Sequence, residues 1–472
     1  MPVKPVASGE VFEPEVPLLI VGGGACGLVA GLAAKDAGTP VVILERDAIP
    51  RGSTFMSSGF IPAAGSRFQV EKGIPDTAEI MAADIQRKNG AEADPVVVET
   101  LAKHSGRVID WLAEVHGIPF SLVEGFLYPG HSHLRMHATP RRTGEELMGC
   151  LLTAAETAGI DLLTDAKTVD LHVDYRRRVH GVGFERPDGT RERVGCRALL
   201  LACNGYGGDV ELVARHLPAV RDALYYGHEG NQGDAVRWGE ALGASLKDLG
   251  AYQGHGSLAT PQQTLISWAL MMRGGIQVNN AGQRFSNEHG GYSEQAAKVL
   301  SQPGRTVWAV FDTAIHDAAL EFEDYRTAQD AGAVRIFASL TAMAESLNLP
   351  LDALERTFAE MQQHAASGRP DAFGRTFAPE TLLSEPYYAV RVTGALFHTQ
   401  GGLEIDGSGR VLDRAGTPFP NLYAAGGAAR GVSGSGDSGY LSGNGLLSAV
   451  VMGAIAGRTA SEGVRSSPDL RP

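Results

Sequence analysis

A glycine turn, Gly22-Gly-Gly24-Ala-Cys-Gly27, follows the apolar run Leu18-Leu-Ile-Val21 and opens a segment of helical spacing, Leu28 to Gly38. The chemistry such a turn offers is anion binding. Gly22 permits the tight turn, Gly24 lets backbone approach a pyrophosphate, and Gly27 lets the helix pack on the strand. The N-terminus of that helix faces the phosphates. A second apolar run, Val41-Val-Ile-Leu44, ends in Glu45. That is about 20 residues on, where a carboxylate binds ribose hydroxyls. Strand, glycine turn, helix, strand and acid in this order predict a dinucleotide-binding unit.

Other constellations carry less. His131-Ser-His133 with His137 suggests a metal, but a metal site needs a third or fourth ligand and outer partners. The stretch reads instead as a glycine- and proline-containing loop, and no metal is expected. Gly436-Asp-Ser-Gly439 has the look of a nucleophilic-serine signature without the rest of that machinery. Arg141-Arg142 reads as a solvated turn. Cys26, Cys150, Cys196 and Cys203 include no C-x-x-C pair, so they neither staple the fold nor bind a cluster.

The elements around the turn are legible from spacing. Pro95 to Val115 reads helical, as does Gly144 to Ala158, with Thr143 as cap and Gly159 as stop. Val169 to Phe184 predicts an antiparallel pair, and Ala198-Leu-Leu-Leu-Ala202 a buried strand. Gly230-Asn-Gln-Gly233-Asp234 opens a helix from Ala235 to Leu242. From about Leu246 to Ala395 the character changes, with helical stretches at Ala333 to Ser346 and Leu351 to Ser367 and no further phosphate turn. The nucleotide-type pattern returns at Gly401. The fold class expected is α/β: a Rossmann-like dinucleotide-binding domain split by an inserted α+β domain. The boundaries are 1–245, 246–395 and 396–472.

Composition excludes several classes. The 472 residues carry 41 basic and 54 acidic side chains, a net charge of −13, which argues against nucleic acid. No apolar run approaches the ~20 residues of a membrane helix. Met1 to Glu15 lacks a signal pattern and reads as an unanchored cytoplasmic arm.

Further blocks carry a resemblance. Thr399-Gln-Gly-Gly-Leu-Glu-Ile-Asp406, Gly409-Arg-Val-Leu-Asp413, Pro418-Phe-Pro-Asn-Leu-Tyr-Ala-Ala-Gly426 and Ser442-Gly-Asn-Gly-Leu-Leu447 occur in order. Gln253-x-His255, Gly275-Ile-Gln-Val-Asn279 and Gly282-Gln-Arg-Phe-Ser-Asn-Glu288 precede them. Together they resemble the flavoprotein superfamily of fumarate reductase, succinate dehydrogenase and 3-ketosteroid dehydrogenase. The resemblance implies FAD under a capping domain. It also implies non-covalent attachment, because no histidine lies between Arg51 and Gly59 where covalent members carry their link. The cofactor contacts it implies begin with Gly22, Gly24, Ala25, Cys26, Gly27, Glu45 and Arg46. They continue through Ser53, Thr54, Ser58, Gly59, Ala166, Ala202, Asn204, Gly205 and Asp234. They end with Gly426, Gly427, Gly443, Asn444, Leu446 and Leu447.

The implied substrate positions match only in part. His255 and His398 match histidines that hold substrate carboxylate in fumarate reductases. The two essential arginines of those reductases do not carry over: Tyr292 and Tyr440 stand about there. Gly427 replaces a usual glutamate. An arginine fork holds a carboxylate by two charge-assisted bonds, which a phenol cannot do. Two tyrosines suit a ketone, and Tyr440-x-Ser442-Gly443 resembles the 4-ene-forming ketosteroid enzymes. The reading is desaturation of a cyclic ketone, such as a 3-oxosteroid or a smaller oxocyclohexane, possibly bearing a carboxylate. Tyr440 would polarise the carbonyl, and Tyr292 would take the α-proton with help from His255 or His398. FAD N5 would accept hydride, and a separate acceptor would reoxidise the flavin. The alternative is a fumarate-reductase-like enoate reductase acting on an unsaturated carboxylate.

Overall fold

The structure, a computed structural model, describes residues 2–7, 10–125 and 127–466. Its chain forms two compact units. The first comprises Met1–Leu217, Gly227–Gln253 and His398–Pro472; the second comprises Pro218–Tyr226 and Gly254–Phe397.

In the first unit, strands Glu15–Val21, Val41–Leu44 and Asp161–Leu163 lie side by side and parallel. Arg191–Leu201 joins the other edge of Glu15–Val21, also parallel, and pairs in turn with Val179–Glu185 and Pro418–Ala424. With Lys167–Val173, Arg410–Leu412 and Val3–Pro5 they complete a nine-stranded sheet. Leu18, Leu19, Ile20, Leu199, Leu200 and Leu201 are fully shielded, as expected of parallel strands covered on both faces. Helix Ala25–Asp36 packs on helices Gly144–Thr157 and Gly453–Ser466. The N-terminal arm is not loose: Val3–Pro5 pairs with Leu171–Val173, and Lys4 meets the Asp170 carboxylate at 2.6 Å. An edge strand with unpaired backbone groups offered it a partner.

The second unit has its own seven-stranded sheet, with Tyr387–Thr399 central beside Thr306–Asp312 and Tyr252–Ala259. Its core contains Phe311, Tyr325, Met343, Leu354 and Val390. Its limits depart from 246–395 for local reasons. Leu246–Lys247 pairs with Gly402–Leu403, and the Tyr206 hydroxyl donates to the Leu249 carbonyl, which ties that stretch to the first unit. Leu224–Tyr225 pairs with Ala395–Leu396, which draws a short upstream piece into the second. The expected helix at Ala333 to Ser346 is instead strand Val334–Phe337 followed by helix Leu340–Leu347. Val-Arg-Ile-Phe is β-branched and aromatic, and it finds a partner strand in Tyr387–Val390. Ser339 then caps the shorter helix by accepting from Ala342 N–H.

The glycine turn is fixed by close approaches. Gly22 adopts φ +109, and a Cβ there would meet the Ala202 carbonyl oxygen at 2.5 Å. A Cβ on Gly27 would collide with the Gly22 carbonyl oxygen. Gly27→Ala is therefore expected to destabilise the first unit by about 1–3 kcal/mol, the usual cost of overpacking. Thermal melting and flavin content of the purified variant check it; wild-type values for both would show that the turn tolerates a methyl group.

Candidate active site

The start of helix Ala25–Asp36 has no side-chain cap and no acidic residue in its first turn. The positive end of its dipole is open to an anion, although Ala25 N–H itself donates to Thr54 Oγ1. Glu45, buried at the end of the next strand, reaches over this turn: its carboxylate accepts from Gly23 N–H at 2.7 Å and from Asp47 N–H at 3.0 Å. One further lone pair remains on each oxygen. Arg46 donates to the Gly230 carbonyl at 2.9 Å, while its Nε faces the Asp47 carboxylate at 3.3 Å. Ala166 N–H bonds the Glu45 carbonyl, and Ala202 N–H bonds the Val21 carbonyl. Thr54 Oγ1 accepts from Ala25 N–H at 3.3 Å. Ser58 is exposed; Ser57 beside it points inward, donating to the Thr54 carbonyl and accepting from Gly59 N–H.

Ser53 Oγ accepts from two amides, Asn204 Nδ2 at 3.1 Å and Asn231 Nδ2 at 2.8 Å. Asn231 was not among the expected residues; its position in Gly230-Asn-Gln-Gly233 was the available signal. Asn204 Oδ1 also accepts from Gly205 N–H. Asp234, at the head of helix Asp234–Leu242, has its carboxyl pushed up by burial. Gly427 has a steric cause: a Cβ would run into Asn204 Oδ1 and lie 2.8 Å from His398 Nε2. The side chain missing from this position is what admits those two polar groups. A Cβ on neighbouring Gly426 would lie 3.2 Å from Cys26 Sγ, whose thiol burial pushes up to about 12.

Tyr440, His398 and Gln400 converge on Gly445. A Cβ there would lie 3.9 Å from the Tyr440 hydroxyl, 3.9 Å from His398 Nδ1 and 3.6 Å from Gln400 Nε2. Gln400 Nε2 donates to His398 Nδ1 at 2.7 Å, and Gln400 Oε1 accepts from Ser433 Oγ at 3.2 Å. This orientation leaves the His398 proton on Nε2. Burial holds the ring's pKa down at about 4, so His398 is neutral at pH 7. Gln400 went unnoticed in the sequence, although it stands two residues beyond His398. Gly443 precedes helix Asn444–Leu447. Both amide atoms of Asn444 are buried without a partner, as is Ser448 Oγ. Leu447 is fully buried and Leu446 half-buried.

In the second unit, His255 lies among aromatic rings. Tyr292 stacks on it at 5.0 Å, Phe397 stacks at 5.4 Å, and Trp268 meets it edge-on at 5.7 Å. His255 Nδ1 accepts from Ser257 N–H at 3.1 Å, which places its proton on Nε2. Burial lowers its pKa to about 3. The ring is therefore neutral at pH 7, so of the two kinds of help expected for Tyr292, a relay or a cationic neighbour, it is suited to the relay. Tyr292 begins helix Tyr292–Leu300. Just before it, Glu288 accepts from Arg284 at 2.6 Å and from Arg375 at 2.8 Å, and its backbone carbonyl accepts from Trp268 Nε1.

The arginines are informative. Among the described residues the buried ones are Arg135, Arg375 and Arg430. Arg135 is paired with Asp76 and Asp84, Arg375 with Glu288, and Arg430 with Asp94 and Asp248. Arg141 and Arg142 are exposed. Among the described residues, no group of three His, Cys, Asp or Glu side chains is disposed to hold a metal, and no helix is long and apolar enough to cross a membrane.

A family model described as an FAD binding domain matches residues 18–446. The chain belongs to this FAD-binding family. It is a flavin-dependent oxidoreductase of the fumarate reductase and succinate dehydrogenase flavoprotein superfamily. It is 29% identical over 462 residues to a probable fumarate reductase, Ifc3, of Shewanella frigidimarina, covering 97% of this chain and 76% of that one. A flavocytochrome c3 fumarate reductase in an open conformation superimposes with a TM-score of 0.80 at 28% identity, covering 97% and 79% of the two chains. The 3-ketosteroid-Δ4-(5α)-dehydrogenase of Rhodococcus jostii RHA1, solved with 4-androstene-3,17-dione, shares the fold. Its TM-score is 0.78 at 24% identity, over 98% of this chain and all of that one. The expected α/β flavoprotein fold is thus the one observed.

The residues present fit FAD. The helix start after Gly24, with no acidic residue in its first turn, the buried carboxylate of Glu45 with lone pairs to spare, and the unpartnered amide of Asn444 are polar groups that a flavin dinucleotide would satisfy. Glu45→Ala removes the ribose acceptor and also unties Gly23, so FAD affinity should fall about 10–100-fold, the range for hydrogen bonds to a charged group. Fluorescence titration of apoprotein with FAD measures this; unchanged affinity would remove Glu45 from the site.

Three histidines buried inside the units, His131, His137 and His255, have pKa values lowered to about 4, 4 and 3. Unfolding frees them to titrate near 6.5. Their contribution to stability is full above pH 6.5 and declines as pH falls below it, by up to about 1.4 kcal/mol per pH unit each. Denaturant unfolding between pH 7 and 5 should show this fall. A flat profile over that window would mean that the three are charged in the folded protein.

Proposed function

We propose that the protein desaturates a neutral cyclic ketone, a 3-oxosteroid or a smaller oxocyclohexane, at the bond between the α and β carbons. The observation that carries this reading is the state of the arginines. Each buried guanidinium already has a carboxylate of the chain, and tyrosine stands at both positions where fumarate reductases place a substrate arginine. A dicarboxylate would have no fork to hold it. The cluster of His255, Tyr292, Phe397 and Trp268 is aromatic and uncharged, which suits an apolar ring.

Three tasks must be filled to remove two hydrogens beside a ketone. The Tyr440 hydroxyl donates to the ketone oxygen, and the amide groups at the start of helix Asn444–Leu447 add to the field on it. Enolate character makes the α-proton acidic, and Tyr292, entering as the phenolate, takes it and becomes the phenol. His398, neutral and carrying its proton on Nε2, serves as a hydrogen-bond donor rather than a counter-charge. FAD, held non-covalently, supplies the acceptor for the β-hydrogen as hydride. A separate acceptor takes the electrons afterwards. The cytoplasm suits the acidic, cysteine-poor composition.

The enoate reductase reading has one observation in its favour: two of the three proteins named above are a probable fumarate reductase and a fumarate reductase. Against it, each buried arginine among the described residues is already paired with a carboxylate of the chain.

Tyr292→Phe should leave FAD binding and the visible spectrum intact and slow flavin reduction by a ketone about 10²–10⁴-fold, the usual worth of a general base. Tyr440→Phe should slow it about 10²–10³-fold, as expected for one lost donor. Stopped-flow absorbance with a ketone accepted by the wild type checks both. Wild-type rates in both variants would overturn the mechanism.

A further inference from the structure

The segment that carries Tyr440, Gly431-Val-Ser-Gly-Ser-Gly-Asp-Ser-Gly-Tyr440, is rich in glycine and serine. Such a loop has much conformational entropy to lose, and something must hold it. Its early part is tied down by Asn89, whose Nδ2 donates to the Val432 carbonyl at 3.1 Å, and by Glu92, which accepts from Ser435 N–H at 3.1 Å. Past Tyr440, His131 Nε2 donates to the Ser442 carbonyl at 3.0 Å and ties the backbone there.

His131 is itself held by a buried ion cluster. Arg135 is 1% exposed and engages both oxygens of Asp76, at 2.9 and 2.8 Å, and Asp84 at 2.7 Å. Gln69 also bonds Asp76, and Ser132 N–H and Oγ bond Asp84. Arg87 pairs with Asp84 from its exposed side. Arg135 Nη1 also faces His131 Nδ1 at 3.3 Å. A guanidinium only donates, so Nδ1 accepts and the proton of His131 sits on Nε2, aimed at the Ser442 carbonyl. A buried ion cluster of this kind contributes little to stability against an apolar replacement, but it does define one geometry.

We propose that His131 is a positioning residue for Tyr440: locked as a neutral donor by the Arg135–Asp76–Asp84 cluster, it clamps the Ser442 carbonyl and so sets where the Tyr440 hydroxyl and the helix start at Asn444 stand. The assignment rests on the ketone-desaturase reading of Tyr440. It gives the buried histidine of His131-Ser-His133 a role that needs no metal.

A double-mutant cycle with Tyr440 tests it. His131→Phe fills the site without a donor. At saturating ketone it should slow flavin reduction about 10–100-fold, as a displaced catalytic group does, with FAD content and visible spectrum unchanged. His131→Gln, which can accept from Arg135 and donate to the Ser442 carbonyl, should restore most of the rate. In a Tyr440→Phe background, His131→Phe should have almost no further effect, because the group it places is gone. Equal slowing in both backgrounds, or a wild-type rate in His131→Phe, overturns the clamp while the ketone reading stands. A wild-type rate in Tyr440→Phe alone overturns the ketone reading and the clamp with it. Should His131→Phe fail to retain FAD, His131→Ala takes its place in the cycle; loss of FAD from both overturns the assignment, since His131 would then serve the fold rather than Tyr440.

Discussion

Charge pairing inside the protein governs what the site can accept. A guanidinium buried without a partner is costly, and one buried against a carboxylate is spent. Arg135, Arg375 and Arg430 are all of the second kind. Half-buried Arg284 is likewise engaged by Glu288 and Asp371. These arginines are engaged by the scaffold, and on the ketone reading proposed above substrate is held by neutral donors instead. The histidines follow the same rule. His255 and His398 are kept uncharged by burial, and each has its Nδ1 occupied, by Ser257 N–H in one case and by Gln400 in the other.

Both tyrosines stand next to such scaffolding. Glu288, gripped by Arg284 and Arg375, lies four residues before Tyr292 and fixes the turn that starts its helix. His131, gripped by Arg135, holds the carbonyl two residues after Tyr440. The family's Gly282-to-Glu288 block therefore has a physical reading in this chain: its glutamate is an anchor for two arginines rather than a group aimed at a ligand. In the first unit, the small residue at 427 leaves room for Asn204 and His398.

Much of this was legible in the sequence. The strand–turn–helix–strand–acid pattern from Leu18 to Glu45 is a local signal, since periodicity, glycine spacing and an acid all fall within one short segment, and the sheet order around it follows. The helix at Pro95–Glu114 and the cap at Thr143 are local as well. What escaped depended on partners far away in the chain. Val334–Phe337 is a strand because Tyr387–Val390 lies beside it. The arm at Val3–Pro5 is ordered because residues 171–173 present an open edge. Leu246–Lys247 belongs to the first unit because of Gly402–Leu403. In the site, Tyr440 and His398 were visible through their motifs, but Gln400, Asn231 and the tie from His131 to Ser442 were not, because a hydrogen bond across 311 residues leaves no spacing to read. The neutrality of His255 likewise comes from rings contributed by three separate segments.

The central claim is that this flavin oxidises a neutral ketone and does not serve a dicarboxylate. Anaerobic spectra of the FAD-loaded protein test it most directly. A panel of cyclic ketones, from oxocyclohexanes to 3-oxosteroids, is added to the oxidised enzyme; in parallel, fumarate is added to enzyme whose flavin has been reduced by dithionite. The account predicts bleaching of the flavin absorbance by at least one ketone and no reoxidation by fumarate. Rapid reoxidation by fumarate, with no ketone able to bleach the flavin, would contradict it.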